Sequence, residues 1–66
     1  MPRVVLVEGG ATHDVFEVVE VATGLVRARS PYLFEIGEEL DLRIDDKDAK
    51  ARVRGHVDGV TELELL

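Results

Sequence analysis

The sequence predicts an all-β fold, a small six-stranded antiparallel barrel or half-open sheet with no substantial helix, and three observations lead there. Short runs rich in Val and Leu recur along the chain, each closed by a breaker such as Gly9-Gly10, Thr23-Gly24, Ser30-Pro31 or Asp58-Gly59. From Glu39 to Leu65 apolar and polar side chains largely alternate, as strands with one buried face require. The one stretch with partial helical spacing, Leu33, Phe34 and Ile36, is caught between Pro31 and Gly37 and is too short for a stable helix.

The elements follow in chain order. Arg3 to Glu8 reads as a first strand, stopped at Gly9-Gly10 and followed by a flexible connection through His13. The glycine pair reads as a turn and not as a phosphate loop, because neither GxGxxG nor GxxxxGK is present and no helix follows. Asp14 to Ala22 is a second strand in which adjacent Val18 and Val19 break the alternation, so that one of them faces outward or sits at a bulge. Leu25 to Arg29 is a third, with Leu25, Arg27 and Arg29 on one face and Val26 and Ala28 on the other. Ser30-Pro31 ends it, since proline lacks the ladder donor. Tyr32 to Ile36 then crosses to Gly37, with Leu33, Phe34 and Ile36 expected to plug one end of the barrel and Tyr32 to sit at its rim.

The last three strands can be paired by parity. Leu40, Leu42 and Ile44 form one face of Glu39 to Asp45, and Ala49, Ala51, Val53, Gly55 and Val57 one face of Ala49 to Val57. A loop of Asp45 to Asp48 then sets Ile44 opposite Ala49, Leu42 opposite Ala51, Leu40 opposite Val53, Asp41 opposite Arg52 and Glu39 opposite Arg54. A two-residue turn at Asp58-Gly59 would mix the two faces, so a three-residue loop, Val57-Asp58-Gly59 with Gly59 left-handed, is expected. It places Val53 opposite Leu63, Ala51 opposite Leu65, Arg54 opposite Glu62 and Arg52 opposite Glu64. The basic run Lys50 to Arg54 thereby lies between carboxylates instead of forming a nucleic-acid stripe.

Composition narrows the function. Sixty-six residues make one domain, 1–66, with a core drawn from eleven Val, eight Leu, two Ile and two Phe and no Cys to staple it. A net charge of −6 would repel a phosphate backbone, so nucleic acid is not an expected partner. No apolar run approaches the roughly 18–20 residues that span a bilayer, and MPRVVLVEGG does not read as a signal peptide, so a cytoplasmic protein without membrane contact is expected. His13 falls on a loop and His56 on an outward strand position, without Cys or a second His at ligand spacing, so both read as solvated and no metal site is expected. Ser30, the only serine, has no activating base nearby in sequence, and no carboxylate pair stands out, so neither an enzyme nor a cofactor is expected.

The order of elements from Val18 to Leu65, VVEVATGLVRARSPYLFEIGEELDLRI…AKARVRGHVDGVTELEL, resembles the PilZ domain family, above all in the segment Gly-Glu-Glu-Leu-Asp-Leu-Arg-Ile at Gly37 to Ile44. In that family a strand leads into a D/N-x-S-x-x-G turn, a short strand ends in serine, and an xxGxxhxhxh segment opens a hairpin. The resemblance implies a six-stranded barrel and a role in bacterial second-messenger signalling, often as a cyclic di-GMP receptor. The departures bear on that ligand. The R-x-x-x-R arm that holds guanines and phosphates has no counterpart in Met1-Pro2-Arg3, Glu20 stands where Asp or Asn is expected, Ala22 replaces the hydroxyl, and Gly24 arrives one residue early. The usual C-terminal helix is not expected after Leu66. A dinucleotide would depend on Arg3, Arg27 and Arg29 beside Glu17 and Glu20, with Gly24 in the turn. The expectation is therefore a PilZ-like regulatory or adaptor module that works through protein contacts, with Val18, Val19, Arg27, Arg29, Tyr32 and Phe34 as contact residues. A second copy of the chain is a further candidate partner, and a cyclic di-GMP receptor with a non-standard site is the alternative.

Overall fold

A computed structural model describes residues 2–66, which form one antiparallel sheet of seven strands curled into a half-barrel. The strands are β1 (Val4–Glu8), β2 (Ala11–His13), β3 (Glu17–Ala22), β4 (Leu25–Arg29), β5 (Glu39–Ile44), β6 (Lys47–Val57) and β7 (Val60–Leu65). Their order across the sheet is β2-β1-β5-β6-β7-β4-β3. The all-β class is as the sequence predicts, while the strand count is seven and not six. The extra strand is β2. Gly9 and Gly10 both take positive φ, 60° and 81°, and close a tight hairpin that pairs Glu8 with Ala11, Val7 with Thr12 and Leu6 with His13. The expected flexible connection is thus an ordered strand, and β3 begins at Glu17 instead of Asp14.

The concave face collects Val4, Leu6, Val26, Ala28, Leu40, Leu42, Ala51, Val53 and Leu63, with Phe16 delivered from the β2–β3 connection. Val26 and Ala28 are buried, while Arg27 and Arg29 on the other face of β4 are exposed, which follows the alternation read from the sequence. The β3–β4 register slips between Val18 and Glu20, so Val19 is the bulged residue; Val18 packs against the core and Val19 is exposed.

Both late hairpins use shorter turns than parity predicts. At β5–β6 the turn is Asp45-Asp46, which pairs Ile44 with Lys47, Leu42 with Ala49, Leu40 with Ala51, Asp41 with Lys50 and Glu39 with Arg52. This is a slip of two residues from the expected register, so the inward faces still meet. Asp45 takes φ 55°, and β1 fixes it there: its N–H donates to the Arg3 carbonyl at 2.7 Å and its Oδ1 accepts from the Arg3 N–H at 3.1 Å. Aspartate tolerates the left-handed region better than most residues, and the tighter turn brings Lys47 and Asp48 into the ladder and forms the 3.0 Å Arg43–Asp48 ion pair.

At β6–β7, Asp58 (φ 52°) and Gly59 (φ 78°) form a two-residue turn that pairs Val57 with Val60. Gly59 is left-handed as expected, but the expected three-residue loop is absent. The mixing of faces is avoided by a bulge farther along β6. The register slips between Val53 and Gly55, so Glu62 faces Gly55 and not Arg54, while Val53–Leu63, Ala51–Leu65 and Arg52–Glu64 pair as predicted. Arg52 therefore lies between Glu39 and Glu64, with Glu39 at 3.4 Å, whereas Arg54 joins no such row.

The bulge has a second effect. It reverses the parity of everything between it and the turn, so Val57 is 57% exposed and His56 turns inward beside Thr61. His56 is half-buried, and the expectation of a solvated, outward imidazole is corrected.

Candidate functional site

The crossover between β4 and β5 is shaped by local hydrogen bonds before it meets the sheet. The Tyr32 N–H donates to Ser30 Oγ at 3.1 Å, which turns the chain after Pro31, and the Glu35 N–H donates to Glu38 Oε1 at 3.1 Å. Its end is stitched to β6, with the Gly37 N–H donating to the Val53 carbonyl at 2.7 Å and the Val53 N–H to the Glu38 carbonyl at 2.8 Å.

His56 holds the middle. Its Nε2 lies 2.7 Å from the Phe34 carbonyl and its Nδ1 lies 3.0 Å from Thr61 Oγ1. A carbonyl can only accept, so Nε2 carries a proton and donates; in the neutral ring Nδ1 then accepts from the Thr61 hydroxyl. Thr61 is only 3% exposed and is the buried polar side chain of the core, which makes this bridge the way its hydroxyl is satisfied.

Held at its carbonyl, Phe34 packs its ring against the core, with the Phe16 ring at 5.9 Å and the Tyr32 ring at 6.1 Å between centroids. Leu33 and Ile36 then point away. They are 85% and 70% exposed, so of the three expected plugs only Phe34 serves as one. Tyr32 lies exposed at the rim, as expected.

Beside this crossover lies a half-open groove of about 440 Å³. Leu6 and Phe34 supply apolar surface, Tyr32 and Leu33 form the crossover side, and Glu8, Glu38 and His13 complete the lining. Its volume falls in the ~300–1,000 Å³ range of ligand clefts.

The residues predicted for a nucleotide do not converge there. Arg27 is engaged from two sides, by Glu62 Oε2 at 3.0 Å and Glu20 Oε1 at 3.1 Å. Arg3 reaches Asp14 at 3.4 Å, and Asp14 in turn lines a shallow hollow with Arg29, Ser30 and Pro31. Gly24 sits in the β3–β4 turn at φ 76°, with its carbonyl accepting from the Leu65 N–H, at the other end of β4 from Arg29.

The predicted protein-contact residues also divide. Tyr32 and Phe34 line the groove, Val19 and Arg27 border a separate outer hollow with Val57 and Val60, Arg29 belongs to the Asp14 hollow, and Val18 faces the core. Sequence reasoning missed Glu8, His13, Glu38 and His56. For His56 a signal existed, because Gly55 inside a strand marks a bulge. For the two glutamates none did, since fourteen acidic residues look alike until the topology brings β1 beside the end of the crossover. No family model, curated protein or solved structure matches the chain, so the PilZ resemblance stands on its quoted residues alone.

Proposed function

We propose that the chain is a non-enzymatic, PilZ-like adaptor module that docks partner proteins through the Tyr32–Ile36 crossover and does not work through cyclic di-GMP. The observation that carries this reading is the pairing of order with exposure. The crossover is tied down at Ser30, Phe34 and Gly37, yet it holds Leu33 and Ile36 out in water next to an aromatic-lined groove. Exposed apolar patches rimmed by polar residues mark interaction sites, and aromatic residues such as Tyr are enriched among the anchors of interfaces. Against a dianionic dinucleotide speak the two carboxylates on Arg27 and the distance of Gly24 along β4 from Arg29.

Two measurements test the reading. Calorimetric titration with cyclic di-GMP should give no saturable heat, and saturable binding lost in Arg29→Ala would replace the adaptor with a receptor. A photo-crosslinking residue placed at Leu33 should capture a discrete partner in the cell of origin, whereas the same group at Val21 should not. Adducts from Val21 alone would move the docking surface to the β3 edge.

A further inference from the structure

We propose that the groove beside the crossover takes an extended peptide segment carrying an arginine next to a large apolar side chain. This deepens the docking reading above and rests on it. The chemistry of the lining selects the occupant. Leu6, Phe34 and Leu33 offer apolar surface, but the charged groups among the lining residues are Glu8 and Glu38, with no Lys or Arg beside them. Glu8 enters no ion pair among the described residues. The Glu38 carboxylate accepts one backbone N–H, from Glu35, and retains acceptor capacity. Two acceptor-only carboxylates flanking an aromatic rim fit a guanidinium, which stacks on the ring of Tyr32 while donating from its edge.

The same features reject the alternatives. A phosphate or an acidic segment would meet like charge. A second copy of this chain carries the same −6, so self-association through the groove would also work against repulsion. A cationic segment is steered in by that net charge and then held by the apolar contacts.

Fluorescence anisotropy with three labelled peptides tests the proposal: Gly-Leu-Arg-Phe-Arg-Leu-Gly, the same peptide with Glu for Arg, and the same peptide with Ser for Leu and Phe. Only the first should bind, with an affinity that falls as salt rises. Replacing Glu8→Gln and Glu38→Gln together should weaken it on the order of tenfold, from two partly solvated charge contacts. The amide at position 38 can still accept from Glu35, which keeps the turn. Leu33→Ser, at an exposed position, should abolish binding without unfolding the chain.

Equal binding of the glutamate peptide, still lost in Leu33→Ser, would overturn the charge selection and leave the docking reading standing. Binding of the arginine peptide that ignores Leu33→Ser would overturn both. A dimer of the free protein by light scattering that Leu33→Ser dissociates would make a second copy the occupant and overturn the proposal.

Discussion

Replacing His56 by alanine should cost this protein a large share of its stability, and the structure sets the size of the loss. Thr61 is nearly inaccessible and His56 is its hydroxyl's one side-chain partner among the described residues, so the substitution strands a buried hydroxyl, at a cost of about 1–3 kcal/mol. The Phe34 carbonyl belongs to a half-buried residue that water can reach, so its lost bond is worth the smaller net value of ~0.5–1.5 kcal/mol. Together they come to roughly 2–4 kcal/mol, against a total of roughly 3–10 kcal/mol for a domain of this length. The midpoint of thermal unfolding should fall by about 10–25 °C. Far-UV circular dichroism reads it, with fluorescence of Tyr32, the sole tyrosine in a chain without tryptophan, reporting on the crossover. The distinguishing outcome is a rescue. Thr61→Val added to His56→Ala removes the stranded hydroxyl and should recover about 1 kcal/mol or more. A loss for His56→Ala below ~1 kcal/mol, or a double variant weaker than the single one, would refute the bridge.

Three further outcomes follow from the hairpins and the outer face. Gly59→Val should destabilise by about 1–2 kcal/mol in urea titration, because a β-branched residue resists the φ of 78°, while Asp58→Asn should be close to neutral; a neutral Gly59→Val would contradict the left-handed turn. Deleting Gly55 should leave a folded protein, since every other β6–β7 pair survives and Arg54 moves opposite Glu62. A chain that no longer folds would show that the bend itself is required. Arg27→Ala should cost about 0.5–1 kcal/mol at low salt and less at high salt, as expected for ion pairs that are partly exposed; a loss that salt leaves unchanged would mean that packing of the side-chain stem, not charge, is what Arg27 supplies.

Periodicity carried the fold a long way. The faces of β4 and β5, the bulge at Val18-Val19 and the Val53–Leu63 pairing were all readable, because burying one face fixes parity strongly. What parity leaves free is a shift by two residues, and that is where the β5–β6 register went astray. The tight turn also carries a contact between Arg3 and Asp45, which joins positions far apart in sequence. Parity also assumes unbroken strands, so placing the irregularity at Gly59 instead of Arg54-Gly55 turned His56 the wrong way. The groove beside the crossover was legible only in its crossover half. Tyr32 and Phe34 announced themselves as the aromatic members of an apolar segment, whereas Glu8, Glu38 and His13 became neighbours through the β1–β2 hairpin and the return into β5.

The bulge in β6 and the groove are connected through His56. A one-residue slip in β6 turns a histidine inward, the histidine fixes Phe34, and Phe34 sets Leu33 and Ile36 outward beside two carboxylates. The most direct test is a map of amide chemical shifts in the ¹⁵N-labelled protein during titration with the arginine peptide. Shifts should cluster at Leu6, Glu8, Tyr32 to Ile36 and Glu38. Shifts concentrated at Val19, Arg27 and Arg29 would contradict this and return the docking surface to the arginine strand.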